Sequence, residues 1–92
     1  MSEKHILIVG TGSVGMRHSR NLTSLGARVS GMDPSGERLK TFIDEFHTLT
    51  YETLEDALAR GSFDGVAICS PTRFHVEQCI PVLEAGLPVL LE

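Results

Sequence analysis

The segment Gly10-Thr11-Gly12-Ser13-Val14-Gly15 is where this sequence concentrates its chemistry. Glycines in a G-x-G-x-x-G spacing suit one task, holding a pyrophosphate against peptide N–H groups. Gly10 permits a tight turn. Gly12 has no side chain to keep a phosphate away from the backbone, and Gly15 lets a following helix pack close to the preceding strand. The first N–H groups of such a helix have no partner inside it, and its dipole favours an anion there. Thr11, Ser13 and Val14 complete the loop. A glycine-rich turn with no ligand is the competing reading, and the flanking segments argue against it. His5 to Val9 is a short continuous apolar run, as expected for a strand buried on both faces, and a helical pattern follows Gly15.

Asp33 supplies the second chemical signal. It ends the next strand-like stretch, Arg28 to Asp33, close to the ~20-residue offset from the first glycine at which an acid grips the ribose of a dinucleotide. A carboxylate there accepts hydrogen bonds from the adenosine ribose hydroxyls and repels a 2′-phosphate, which favours NAD over NADP. Arg38, one turn into the following helix, partly offsets that repulsion. The competing reading of Asp33 is a turn residue ahead of Pro34.

These groups need elements to position them, and strand-like and helix-like segments alternate along the chain. Val14, His18, Leu22 and Leu25 recur near helical spacing, with Gly26 as a C-cap. Leu39, Phe42, Ile43 and Phe46 form the apolar stripe of a second helix. Thr48 to Tyr51 reads as a third strand. Thr53 with Asp56 resembles a capping box, and Leu54, Ala57 and Leu58 follow on one helix face, with Asp56 and Arg60 as an i,i+4 pair. Gly65 to Cys69 is the fourth strand and Ser70-Pro71-Thr72 a loop. Val76, Cys79, Ile80 and Leu83 form a last helical stripe, kinked at Pro81 and ended by Gly86. Pro88 to Leu91 is the fifth strand. Strands alternating with helices imply an α/β fold, a doubly wound parallel sheet of five strands in the order 3-2-1-4-5 that stops before a sixth.

Composition excludes several functions. The chain has 92 residues, enough for one small domain, and a formal net charge of −4. Its basic residues (Lys4, Arg17, Arg20, Arg28, Arg38, Lys40, Arg60, Arg73) are scattered, which argues against a nucleic-acid partner. No apolar run approaches the ~20 residues that span a bilayer, and the N-terminus lacks a secretory pattern. Cys69 and Cys79 then read as reduced thiols of a cytoplasmic protein, without the ligand spacing of a metal site.

Three segments together resemble the N-terminal domain of the glucose-fructose oxidoreductase and inositol dehydrogenase family. They are Gly10 through His18, read as G-x-G-x-x-G-x-x-H; Ser70-Pro71-Thr72-Arg73-Phe74-His75; and Glu84-Ala85-Gly86-Leu87-Pro88-Val89-Leu90-Leu91-Glu92. The resemblance covers nearly the whole chain. It implies a Rossmann-type domain over residues 1–92 that holds a nicotinamide dinucleotide. Ser70, Pro71 and Thr72 would lie beside the ribose and nicotinamide, with His75 shaping that loop. A partly buried histidine at a helix start is the alternative for His75, and His18 reads as a packing residue. His5 and His47 carry no signal. Family members continue from the Glu of this stretch into Lys-Pro. Glu92 matches the Glu, while the lysine, which assists proton transfer, and the substrate domain lie beyond this chain. Thr72 stands where the family often has Asn, and Leu87-Pro88 replaces Lys-His.

The resulting expectation is the cofactor domain of an NAD(P)-dependent oxidoreductase that takes hydride from a hydroxyl-bearing carbon of a sugar or polyol. The 92-residue piece alone is expected to be inactive and to carry no catalytic residue. A stand-alone NAD(H)-binding, sensing or assembly module is the alternative. A nucleotide-sugar or S-adenosylmethionine binder is a third, against which the Ser70–His75 and Gly86–Glu92 segments argue. An open sheet edge at strand five predicts a homo-oligomer.

Overall fold

The computed structural model describes residues 3–91. Its elements are β1 (His5–Val9), α1 (Ser13–Ser24), β2 (Arg28–Met32), α2 (Gly36–Phe46), β3 (Thr50–Tyr51), α3 (Leu54–Arg60), β4 (Gly65–Ile68), α4 (His75–Glu84) and β5 (Val89–Leu91), with a 3-10 turn at Thr72–Phe74 leading into α4. The strands form one sheet in the order β3-β2-β1-β4-β5, and every pairing is parallel. This is the order expected from the alternation of segments. β1 sits in the middle, so the chain winds outward from it in both directions. The C-terminal ends of β1 and β4 therefore meet at a topological switch point, where ligands of such sheets bind.

Strands are shorter than the apolar runs that announce them. Asp33 and Cys69 fall just beyond β2 and β4, Thr48 and Leu49 precede β3, and Pro88 precedes β5. Pro88 has no N–H for the ladder, yet its carbonyl accepts from Val66 N at 2.9 Å.

Alternation along the strands divides the core into two layers. Ile8, Val29 and Ala67 face α1 and α2, where Met16 and Phe42 close over them. Leu7, Val9, Met32, Tyr51, Val66 and Ile68 face α3 and α4, and meet Leu54, Ala57 and Val82. Three helix starts and ends follow local chemistry. Ser35 Oγ accepts from Arg38 N at 3.3 Å to cap α2, and Thr53 Oγ1 accepts from Asp56 N at 3.1 Å to cap α3. The Asp56 side chain does not complete the capping box; it pairs with Arg60 at 2.8 Å instead. Beyond α1, Gly26 takes a φ of +94°.

Two helical stripes differ from expectation. In α1 the buried residues are Gly15, Met16 and Ser19, and Leu25 is exposed. The helix lies so close to β1 that small residues make the contact, and Ser19 is tolerated there because its hydroxyl donates to Gly15 O at 2.7 Å. In α4 the buried residues are His75 and Val82, with Cys79 half-buried, while Val76, Ile80 and Leu83 face outward. The helix runs through Pro81 without a break in its assignment.

Candidate functional site

A crevice of about 750 Å³ opens at the switch point. Gly10, Gly12, Ser13 and Val14 line one wall, Asp33, Pro34 and Arg38 one end, and Ser70, Pro71 and Thr72 the other side. The structure thus brings three separate segments to one crevice, which Thr11, Gly15 and His75 do not line. Glu92 lies outside the described residues.

The three loop glycines do different jobs. Gly10 has a φ of +92°, and a Cβ there would sit 2.7 Å from Ser70 N, so its absence lets the β1–α1 turn and the β4–α4 loop touch. A Cβ on Gly15 would lie 1.9 Å from Gly10 O, so Gly15 is fixed by packing of the helix on the turn. Gly12 is different. The nearest atom to a Cβ there is Arg38 Nη1 at 3.6 Å, an ordinary contact. Internal packing does not demand glycine at this position, whereas a side chain would protrude into the crevice. Gly12 is also the N-cap of α1 without any side-chain cap, and leaves free helix N–H groups facing the space. The cradle fits a pyrophosphate on both counts.

Asp33 is 3% exposed. Its Oδ2 accepts from Thr11 N at 2.9 Å and from Thr11 Oγ1 at 3.3 Å, and its Oδ1 accepts from Ser35 N at 2.9 Å. The carboxylate therefore ties the glycine loop to the end of β2 while still bordering the crevice. Asp33 is thus a turn residue, bonded to the backbone two positions on, whose carboxylate also lines the crevice. Thr11 turns toward Asp33 and away from the crevice. Arg38 Nη1 lies 3.8 Å from Asp33 Oδ2, and the guanidinium stands between Asp33 and Gly12.

Across the crevice, His75 does not line the wall. Its ring is buried, and Nε2–H donates to Ser70 O at 2.8 Å, which fixes the bend of the loop after β4. Ser70 Oγ–H donates to Gln78 Oε1. Arg73 lies over the Phe74 ring, 4.8 Å from its centroid, at the same end. Sequence reasoning missed Gln78, Phe74, Met32 and Cys69 as crevice-lining residues. For Gln78 a signal existed: it stands one helical turn after His75 and so faces the same loop.

His5 has a structural place at the opposite end of β1. Its Nδ1–H donates to Ser62 O at 2.9 Å and its Nε2 accepts from Ser30 Oγ at 2.8 Å. Burial holds this imidazole below the usual histidine range. Cys69 and Cys79 form no disulfide. Among the described residues no helix is long and apolar enough to cross a membrane, and no three His, Cys, Asp or Glu side chains gather as metal ligands.

Comparison with known proteins agrees with this geometry. Residues 4–92 match the family described as an oxidoreductase family with an NAD-binding Rossmann fold. The inositol 2-dehydrogenase of Corynebacterium glutamicum is 36% identical over 90 residues, covering 92% of this chain and 26% of that protein. The rhizopine catabolism protein MocA of Rhizobium meliloti is 33% identical over 95 residues, covering 100% of this chain and 29% of that protein. Among solved structures, the WlbA dehydrogenase of Bordetella pertussis, in complex with NADH and UDP-GlcNAcA, superposes with a TM-score of 0.93 at 25% identity, over 98% of this chain and 28% of that one. The scyllo-inositol dehydrogenase of Lactobacillus casei, with bound NAD(H) and scyllo-inositol, gives 0.87 at 26% identity, over 98% and 28%. The chain spans about a quarter of the length of the relatives it matches. With its sheet order, its glycine cradle and this match over nearly all its length, the chain belongs to the glucose-fructose oxidoreductase, inositol dehydrogenase and MocA family, as its NAD-binding Rossmann domain.

Proposed function

We propose that this chain is the cofactor-holding domain of a dehydrogenase that oxidises a hydroxyl-bearing carbon of a sugar or polyol. The observation that carries the reading is the convergence of Gly12, Asp33 and the Ser70–Thr72 loop on one crevice, with Gly12 left small for no internal reason. The N–H groups of Ser13 and Val14 and the bare backbone of Gly12 hold the pyrophosphate. Asp33 accepts from the adenosine ribose, and Thr11, Gly10 and Gly15 hold the cradle in shape. Ser70, Pro71 and Thr72 border the nicotinamide half, with His75 fixing their loop. When bound, NAD supplies the hydride-accepting nicotinamide, and the protein's part is to place and screen it.

On this reading the lysine that assists proton transfer is the residue after Glu92, and the substrate pocket belongs to a second domain. Relatives that bind inositol or a sugar nucleotide support the substrate class. The setting is cytoplasmic, in keeping with two cysteines that form no disulfide. Self-association through the outer edge of β5 is part of the same reading, because that edge has no strand beyond it among the described residues.

Calorimetric titration of the chain with NADH, NADPH and S-adenosylmethionine tests the cofactor reading. NADH is expected to bind, NADPH more weakly, and S-adenosylmethionine not at all. Preference for S-adenosylmethionine would overturn it. The activity is tested by NADH production when the polypeptide that includes the following domain is given inositols and sugars; the 92 residues alone should turn nothing over.

A further inference from the structure

We infer that Gln78 is a positioning residue for the nicotinamide half of the crevice, acting through the hydroxyl of Ser70. The inference deepens the proposed function and rests on it. Ser70 is gripped from three sides. Its backbone N lies where a Cβ on Gly10 would collide, so the β1–α1 turn abuts it. Its carbonyl oxygen accepts from His75 Nε2. Its hydroxyl donates to Gln78 Oε1. His75 and Gln78 stand one turn apart at the start of α4, so a single helix face fixes both the carbonyl and the hydroxyl of Ser70.

This arrangement sets the polarity of the hydroxyl. A serine has one O–H and two lone pairs. With its proton committed to Gln78, Ser70 offers the crevice only lone pairs, and so accepts hydrogen bonds. The groups of a nicotinamide nucleotide that can donate at this end are the hydroxyls of the nicotinamide-side ribose and the carboxamide NH₂. Gln78 itself borders the crevice, so its amide NH₂ remains available there. Gln78 thus makes Ser70 an acceptor suited to the nicotinamide nucleoside, while the adenosine half is held independently by Asp33 and the glycine loop.

The test compares NADH with ADP, which keeps the adenosine ribose and pyrophosphate but lacks both the nicotinamide-side ribose and the nicotinamide. Both are titrated calorimetrically into the wild-type chain, Gln78→Leu, Gln78→Glu, Ser70→Ala and the Ser70→Ala/Gln78→Leu double variant. Gln78→Leu is expected to weaken NADH by about fivefold, the size of one lost uncharged hydrogen bond, and to leave ADP within about twofold. Gln78→Glu retains an acceptor for the Ser70 hydroxyl and is expected to restore most of the NADH affinity. In the Ser70→Ala background Gln78→Leu should have no further effect. Equal weakening of NADH and ADP, or additive losses in the double variant, would overturn the inference, as would unchanged NADH binding by Gln78→Leu. Because Gln78→Glu alters neither size nor fold greatly, its NADH affinity decides the matter if Gln78→Leu is unstable. A wild-type chain that binds neither ligand would instead overturn the proposed function itself.

Discussion

Around the β1–β2 end of the crevice the polar groups are answered from within the chain, whereas on the outer side of α4 and β5, away from the crevice, apolar groups are left uncovered. Asp33 takes three hydrogen bonds from Thr11 and Ser35 and an ion pair from Arg38, and the helix starts there are capped or face the crevice. Around α4 and β5, Val76, Ile80 and Leu83 follow one another along the outer face of the helix, with Leu90 and Leu91 exposed on the last strand. The Asp33 region is tied by polar contacts within the chain, and the α4–β5 side presents an exposed apolar surface. The difference teaches that two regions of one small domain can differ in what stabilises them, and substitutions should separate them.

The largest effect is expected at Gly15. Alanine there places its Cβ on the Gly10 carbonyl and should cost about 3 kcal/mol by overpacking, seen as a fall in the urea midpoint. Retention of wild-type stability would break the claim that this end is fixed by close packing. Asp33→Ala comes next. It strips the buried Thr11 and Ser35 N–H groups of their acceptor and should cost about 2 kcal/mol, together with loss of NADH binding. If only binding fell, Asp33 would be a ligand contact and not a tie.

Arg38→Ala should sharpen the contrast without disturbing the fold. Its side chain is largely exposed, so stability should hold. The ratio of the NADPH to the NADH dissociation constant should rise about tenfold, because the guanidinium beside Asp33 is gone. Parallel titrations check this, and an unchanged ratio would show that Arg38 takes no part in cofactor choice.

The smallest effect lies far from the crevice. The imidazole of His5 titrates below its unfolded value, so its contribution to stability is present above about pH 6.5 and is lost as pH falls through the folded value. Chemical denaturation from pH 7.5 to 5 should show a shallow decline that His5→Gln flattens. An increase in stability on acidification to pH 5.5 would contradict this sign.

Much of this was legible in the residues. The sheet order follows from alternation of strand and helix patterns, and the crevice from Gly10, Gly12 and Asp33 lying just past the ends of two strands. Less legible was α1, whose buried face is Gly15, Met16 and Ser19. Hydrophobic periodicity does not mark glycine and serine, although close helix packing selects them. The stripe Val76, Cys79, Ile80 and Leu83 has helical spacing, but spacing identifies an apolar face and not what covers it. Only Cys79 of the four packs on the core. For Gln78 the residues offered only its place one helical turn after His75; that its amide meets the Ser70 hydroxyl follows from the fold.

The account stands most directly on Gly12, the loop glycine that the fold itself does not require. Gly12→Ala should unfold in urea within about 0.5 kcal/mol of wild type, yet bind NADH at least about tenfold more weakly. An alanine variant that binds NADH as tightly as the wild-type chain would contradict the placement of the pyrophosphate at this cradle.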